Sequence, residues 1–487
     1  MSRTSAWLVI LLLTVMSLAH GAEIVLVYPR LLTGQTSFSY PASLDTSFAL
    51  GHVTLAGGQL FINDAPVALT ADGAFLTRLP LRKTGDHGSW DLSLRQDGQE
   101  IAALSFPFGI GTPAAPTPDS TSFQKYPCIV RVTQKNAHIW TGQGGTYFVF
   151  PEVGCALTAI GRESGLVRVC FGDESGLIEE RSVAVDNDST LAPAILGNGA
   201  CSRDKASSIC EFTLSRNVPW RTEVSAEGTQ LDLTLYGVRS GTERIRYDIR
   251  DKFLQEIRWE QKGSNTVLHF ICKRRIREGF AVDFGDNQLK VTIRNSFSTA
   301  GRGLKGKTIV IDPGHGGSAW GAVGPRGTRE KDINLKLARL LADELDRRGA
   351  HALLTREVDE DPGLYERMNF AKLQHADFFL SLHCNALPDS QNPFLRHGSG
   401  TYYYQSVSRQ AAEFIHRYLL KATGLRDDGL FYANLAAVRP TEFPAVLVET
   451  AYLIDPAEER LLLTDEFLKE VSHELTRGLR EYFQSEP

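Results

Sequence analysis

The sequence carries no excess of positive charge. Its 487 residues hold 52 Lys and Arg against 57 Asp and Glu, for a formal net charge of -5. It therefore lacks the basic field that draws a chain to nucleic acid or to an anionic membrane surface. It has no Cys-x-x-Cys pair, which excludes a cysteine-rich zinc knuckle. It also has no unbroken run of about 20 apolar residues, the length a membrane-crossing helix needs. What remains is ordinary for folded soluble protein, with 42% hydrophobic and 22% charged residues. At roughly 100–200 residues per domain, about three to five domains are expected.

The one apolar stretch near the start is short. Trp7 to Leu13 and Val15 to Leu18 follow the positive Arg3 and precede Ala19-His20-Gly21. A basic start, a short apolar core and a small-x-small site predict a secretory signal peptide over residues 1–22. The alternative is an uncleaved anchor, which the short run disfavours. No Cys follows the run, so attachment through a lipidated N-terminal Cys is not expected. The protein is expected to be exported, periplasmic or associated with the cell envelope. Its seven cysteines are an odd number, so at least one stays free in an oxidising compartment. Cys201 and Cys210 flank a short polar loop and could pair, but spacing fixes no connectivity.

The fold class expected is multidomain: N-terminal all-β modules, then a C-terminal α/β open-sheet domain. Residues 23–110 show short β-rich runs separated by turn signals such as Asn63-Asp64 and Asp72-Gly73, which favours a β-sandwich. Residues 111–126, rich in Thr, Pro, Ala and Ser, read as a linker. Residues 127–188 are again all-β. Their alternating first strand, the Gly142-to-Gly145 turn and the run "YFVFPEVGCALTAIGRESGLVRV" resemble a bacterial SH3-like barrel of exported proteins. The Arg-Ser pair usual before that turn is Trp140-Thr141 here. Residues 189–217 are polar and Gly-containing and read as a second linker. Residues 218–300 return to alternation, with a hairpin turn at Asp286-Asn287. They resemble the β-domains that precede wall amidases and place them on the envelope. The plain reading of all three β regions is spacer or packing module.

From residue 301 the pattern changes to alternating strand and helix. Thr308 to Ile311 is a short buried strand. Ile333, Leu337, Leu340, Leu341 and Leu345 share one face of a helix that Gly349 stops. Three strands then end in groups able to bind metal or move protons. Thr308–Ile311 leads into Asp312-Pro313-Gly314-His315, Asp377–Leu382 ends in His383, and Ala445–Val448 ends in Glu449. An α/β sheet presents ligands at the carboxyl ends of its strands. Glu330, just before the helix, can reach the same edge. Two His and one carboxylate are a common ligand set for a catalytic zinc ion, which keeps one position for water. In that arrangement His315, Glu330 and His383 bind the metal and Glu449 serves as general base and then acid.

The segments "KTIVIDPGHGG", "GTREKDINLKLARLLADEL", "LLTREVD", "ERMNFAKLQHADFFLSLHCNA" and "PAVLVETAYLIDPAEERLL" occur in that order over residues 305–483. They resemble the zinc-dependent N-acetylmuramoyl-L-alanine amidases of bacterial cell walls. The resemblance implies Zn2+ as cofactor and His315, Glu330 and His383 as its ligands. It implies Glu449 as the catalytic carboxylate. The implied substrate is peptidoglycan, cut between the lactyl group of muramic acid and L-alanine of the stem peptide. An activator protein is a further candidate partner, and the sequence does not identify it. Some division amidases carry a self-blocking helix between the third ligand and the next strand. The seventeen residues between His383 and Thr401 leave no room for a long one. The chain also departs from the family pattern at Cys384 and at Ala451-Tyr452.

Cys384 follows a ligand on a strand and should face away from the metal, as a small buried residue. Arg329 and Asn385 adjoin ligands and His397 lies in the loop beside the cleft. All three are candidates for contact with substrate or for orienting the ligands. Arg356, Glu366 and Arg367 read as fold-holding ion pairs at the domain surface. His351, His375, His416 and His473 read as structural. Two alternatives stay open at this point: an inert peptidoglycan-binding protein, and a metal peptidase acting within the stem peptide.

Overall fold

The structure, a computed structural model, describes residues 13–16, 22–29, 37–55, 57–111, 125–186, 190–295 and 303–485. Most of the expected signal peptide, most of the 111–126 linker and the start of the 301–487 region lie outside these residues. Leu13–Met16, within the expected signal peptide, pairs antiparallel with Glu23–Tyr28. Among the described residues no helix is long and apolar enough to cross a membrane.

Residues 22–111 form two antiparallel-dominated sheets. One holds Glu23–Tyr28, Thr46–Val53 and Ala74–Pro80; the other is built on the long hairpin His87–Gln96 and Gln99–Ile110. Trp90, Phe75, Phe106 and Tyr40 fill the space between them. Asn63 and Asp64 take positive φ at 49° and 64° and close the tight turn the sequence signals there. Residues 128–186 form a seven-stranded sheet around a second core that includes Val130, Leu157, Val169 and Ile178.

The expected linker at 189–217 is not a linker. Ala194–Arg203 and Ser207–Leu214 are paired strands. Ala194, Leu196, Cys201, Cys210, Phe212 and Leu214 all enter the core of the following β region. Gly197, Asn198 and Gly199 in the first strand, buried Ser207 and Ser208 in the second, and a register shift between Leu196 and Gly199 mask the period-2 pattern. The third β region therefore starts near residue 194. It pairs these strands with Phe280–Gly285 and Gln288–Arg294, against a second sheet of Trp220–Val224, Gln230–Leu235, Asn265–Cys272 and Leu254–Lys262. Cys201 and Cys210 face each other across the ladder with their sulfurs 2.8 Å apart.

The C-terminal region has six strands: β1 (Thr308–Pro313), β2 (His351–Leu354), β3 (Phe378–Asn385), β4 (Ser399–Tyr403), β5 (Asp427–Tyr432) and β6 (Ala445–Tyr452). Their spatial order is β2-β1-β3-β6-β4-β5. All pairs are parallel except β4 with β6. Helices α1 (Glu330–Arg347), α3 (Ser406–Thr423) and α5 (Asp465–Gln484) cover one face through Leu337, Leu341, Ile415, Leu475 and Leu479. Helix α2 (Leu364–Leu373) covers the other, packing Met368 and Ala371 on Val310, Phe379 and Leu447. Gly349, at φ 82°, ends the chain segment leaving α1 as the sequence predicts. A short α4 (Pro456–Leu462) is capped by Asp455, which accepts from the N–H groups of Ala457 and Glu458.

Two arginines fasten the third β region to this domain. Arg277 is 5% exposed and donates to the carbonyls of Tyr482 and Ser485 at the end of α5. Arg294 donates to the carbonyl of Ala376 and, at 2.7 Å, to the fully buried carboxylate of Asp377. Breaking a buried pair from one side strands the other charge, at about 3–5 kcal/mol. Arg294→Ala is therefore expected to lower the chain's stability by about that amount, read as a drop in the urea midpoint. A change of under about 0.5 kcal/mol, the size of an ordinary surface substitution, would contradict the anchor.

Candidate metal centre

The parallel register sets the site. Pro313 of β1 stands opposite Leu382 of β3, and His383 of β3 stands opposite Glu449 of β6. The segments that follow β1, β3 and β6 therefore emerge at one edge, where an α/β sheet gathers its ligands. Glu330 is the first residue of α1 rather than a residue just before it, and brings its carboxylate in from the side.

The ligand atoms of His315, Glu330 and His383 all lie within 4.8 Å of one another. His315 Nε2 is 3.3 Å from Glu330 Oε2, and His383 Nδ1 is 2.9 Å from Glu330 Oε1. The two rings sit 4.9 Å apart and nearly perpendicular. Close approach needs glycine. A Cβ on Gly314 would lie 2.3 Å from the His383 ring, and one on Gly321 would lie 2.2 Å from Glu330 Oε2. His315 itself adopts φ 61°, an uncommon conformation for a residue with a side chain. Glu330 is 3% exposed. It accepts from the N–H groups of Ala322 and Cys384 at 2.7 and 3.1 Å and from Asn334 Nδ2 at 3.2 Å. Burial pushes its carboxyl up, but hydrogen bonds and charge from His315 and His383 outweigh that and hold it well below the usual range. A carboxylate so favoured as an anion, beside two imidazoles, is a donor set for a divalent ion of the zinc type.

Glu449 is half-buried, and its Oε2 is shielded from solvent without a hydrogen-bond partner. Burial pushes its carboxyl well up, and the carboxylates of Glu330 and Asp428 add to the effect. A cation held by the three ligands would act in the opposite direction. A buried carboxyl set between such opposing effects is a candidate for proton transfer.

A family profile described as N-acetylmuramoyl-L-alanine amidase matches residues 309–481. The N-acetylmuramoyl-L-alanine amidase LytC of Bacillus subtilis is 37% identical over 183 residues, which are 37% of this chain and 36% of that protein. The probable cell wall amidase LytH of Staphylococcus epidermidis is 35% identical over 184 residues, 37% of this chain and 60% of that one. An uncharacterised Bacillus subtilis protein, YqiI, is 30% identical over 184 residues, 37% of this chain and 86% of that protein. Among solved structures, the catalytic domain of CwlV, an N-acetylmuramoyl-L-alanine amidase from Bacillus (Paenibacillus) polymyxa, is 36% identical. It covers 36% of this chain and 97% of that one, with a TM-score of 0.34.

The chain belongs to the N-acetylmuramoyl-L-alanine amidase family. The matched part is 37% of this chain and spans 36% and 60% of the first two curated relatives' own length, and the family profile covers residues 309–481.

Within the amidase domain the remaining expected residues are placed as follows. Arg329 is the N-cap of α1 and stacks its guanidinium 3.7 Å over the Trp320 ring. The Asn385 side chain accepts from the N–H of Ala386, and its carbonyl accepts from Leu453, tying the ends of β3 and β6 together. His397 Nδ1 is 3.3 Å from the buried Glu458 carboxylate. Cys384 is 2% exposed and joins the hydrophobic core. Burial, then the charges of Glu330 and Glu449, push its thiol up and keep it neutral.

The reading of Arg356 and Arg367 as surface ion pairs is overturned. They are 2% and 5% exposed. Arg356 donates to the carbonyls of Pro313, Gly314, Val358 and Lys331. Arg367 donates to the carbonyls of Pro313 and His315 and pairs with Asp312 at 2.9 Å. Asp312 also accepts from Thr355 and Ser381. These groups clamp the backbone that carries His315. Among the described residues Glu366 serves instead as a cap, accepting from the Gly363 N–H at the start of α2. The carbonyls of the turn at 313–315 take side-chain donors, Asn334 for Gly314 among them, and only the Asp-Pro-Gly-His run itself hinted that it needed support. Arg356→Met removes four buried hydrogen bonds, although Pro313, Gly314 and Val358 keep other donors in Arg367, Asn334 and the Glu360 N–H. At about 0.5–1.5 kcal/mol net for each bond, the loss should reach about 2 kcal/mol or more in a urea titration. A variant as stable as the parent would remove the clamp from the account.

Proposed function

We propose that the chain is a zinc-dependent N-acetylmuramoyl-L-alanine amidase of the cell envelope, exported and acting on peptidoglycan. The amidase domain is read as an α/β open sheet whose strand ends form the catalytic edge. The observation that carries the reading is the convergence of His315, Glu330 and His383 with Glu449 directly across the β3–β6 ladder from His383. His315, Glu330 and His383 would hold the ion, which when bound acidifies a water and polarises the scissile carbonyl. Glu449 takes a proton from the attacking water as its oxygen bonds to the lactyl carbonyl carbon. The same carboxyl then returns the proton to the nitrogen of L-alanine as the C–N bond breaks. The products are a free lactyl carboxylate on the glycan and a stem peptide with a free amino terminus. The clamp by Arg356 and Arg367 keeps His315 in place through this cycle. Arg329, Asn385 and His397 are proposed to orient substrate or ligands. The 127–188 barrel and the region after it are proposed as an SH3-like module and an envelope-placing module.

Glu449→Gln should keep stoichiometric zinc and lose about 10²–10⁴-fold in turnover of purified peptidoglycan, the range of a lost general acid–base group. His383→Ala should lose both metal and activity. Mass spectrometry of the released fragments should find stem peptides beginning with L-alanine. Cleavage inside the stem peptide, or full turnover by Glu449→Gln, would overturn the assignment.

A further inference from the structure

The N-terminal sandwich is docked on the catalytic edge. Antiparallel sheets of a sandwich usually keep one face in water. The sheet of Glu23–Tyr28, Thr46–Val53 and Ala74–Pro80 instead buries both faces, with continuous rather than alternating burial along the first two strands. Ile24, Leu26, Ala49 and Phe75 face the sandwich interior. Val25, Val27, Phe48, Leu50 and Leu76 face outward and pack on Tyr452 and Ile454, with Val323 and Leu387 against the same cluster.

Those partners are not scattered over the amidase domain. Val323 lies in the loop joining His315 to Glu330. Leu387 follows His383 by four residues, and Tyr452 follows Glu449 by three. Polar contacts repeat the pattern. His52 Nδ1 is 2.9 Å from the carbonyl of Pro325. Tyr28 and Ser47 donate to Asp389. Asp72 receives two hydrogen bonds from Arg326, each 2.7 Å, and one from Arg460 at 3.3 Å. Arg326 in turn pairs at 2.7 Å with Glu459, whose side chain is fully buried. The segments that bear Glu330, His383 and Glu449 are each held by the sandwich within four residues, at Arg326, Leu387 and Tyr452, and the loop after His315 is held from Val323 on. The loop held by Arg326 is also the one whose Ala322 N–H supports the Glu330 carboxylate.

We infer that the N-terminal sandwich is a brace for the catalytic edge, with Asp72 as a positioning residue that acts through Arg326 on the loop that seats Glu330. Interdomain contacts that are small and polar leave domains free to move. This one combines an apolar patch with a half-buried, doubly paired arginine, which suits holding rather than sliding. The inference rests on the metal-site reading above for its consequence on zinc, but the loop itself can be tested without metal.

The test uses the full chain and three variants: Asp72→Lys, Asp72→Glu, and Asp64→Lys as a control charge change elsewhere on the sandwich. In metal-free protein, hydrogen exchange in residues 318–330 should speed up about tenfold in Asp72→Lys, while Thr46–Val53 stays protected. Chelator competition should show zinc bound about tenfold more weakly, the lower end of what losing a supporting contact costs. Asp72→Glu and Asp64→Lys should match the parent. Unchanged exchange in 318–330 would overturn the brace even if the parent binds no zinc, a result that would instead count against the metal-site reading. Tighter zinc binding in Asp72→Lys would overturn it too, making the sandwich a lid.

Discussion

The carboxylate of Glu330 faces two imidazoles from the first residue of a helix, almost wholly shielded from solvent. Left alone there, a carboxylate would take up a proton and lose its charge. Three backbone and side-chain donors and the His315 and His383 rings keep it ionised. Much of the amidase domain can be understood as holding these three groups together. Glycines 314 and 321 remove the atoms that would collide, and the left-handed turn at His315 aims its ring inward.

That turn has a cost in unsatisfied backbone, which the domain meets with two buried guanidinium groups. Arg356 and Arg367 between them satisfy the carbonyls of Pro313, Gly314 and His315. Arginine suits this because its planar fork reaches several acceptors at once and cannot lose its charge. The support continues outward. Arg326 links the Glu330 loop to Glu459 of α4 and to Asp72 of a different domain. The catalytic edge is therefore held from below by the sheet, from within by arginines, and from outside by the sandwich.

The sequence made the inner layer readable and the outer layers less so. His315, His383 and Glu449 stand at the ends of β-rich runs, and the Asp-Pro-Gly-His and Arg-Glu-Lys-Asp runs mark the loop and helix start. The roles of Arg356 and Arg367 were hidden because a charged residue near a helix or strand end usually lies at the surface; nothing local says that it is buried. The strands at 194–214 were hidden for a different reason. Their outward positions mix Ile195, Asn198, Ser202, Glu211 and Thr213, so a polar stretch and a half-buried strand look alike until Phe212 and Leu214 are seen to face a core. The docking of the sandwich did leave a trace, in the unbroken run Ile24-Val25-Leu26-Val27. A strand apolar at every position has two faces to cover, but the run does not say what covers the second.

The central claim, that two imidazoles and one carboxylate hold a single zinc ion, is tested most directly by the X-ray absorption spectrum of the full chain loaded with one equivalent of zinc. The account predicts a first shell of nitrogen and oxygen only, with outer scattering from two imidazole rings. A sulfur scatterer at about 2.3 Å would bring Cys384 or another thiol into the shell and contradict it, as would a chain that retains no zinc after gel filtration.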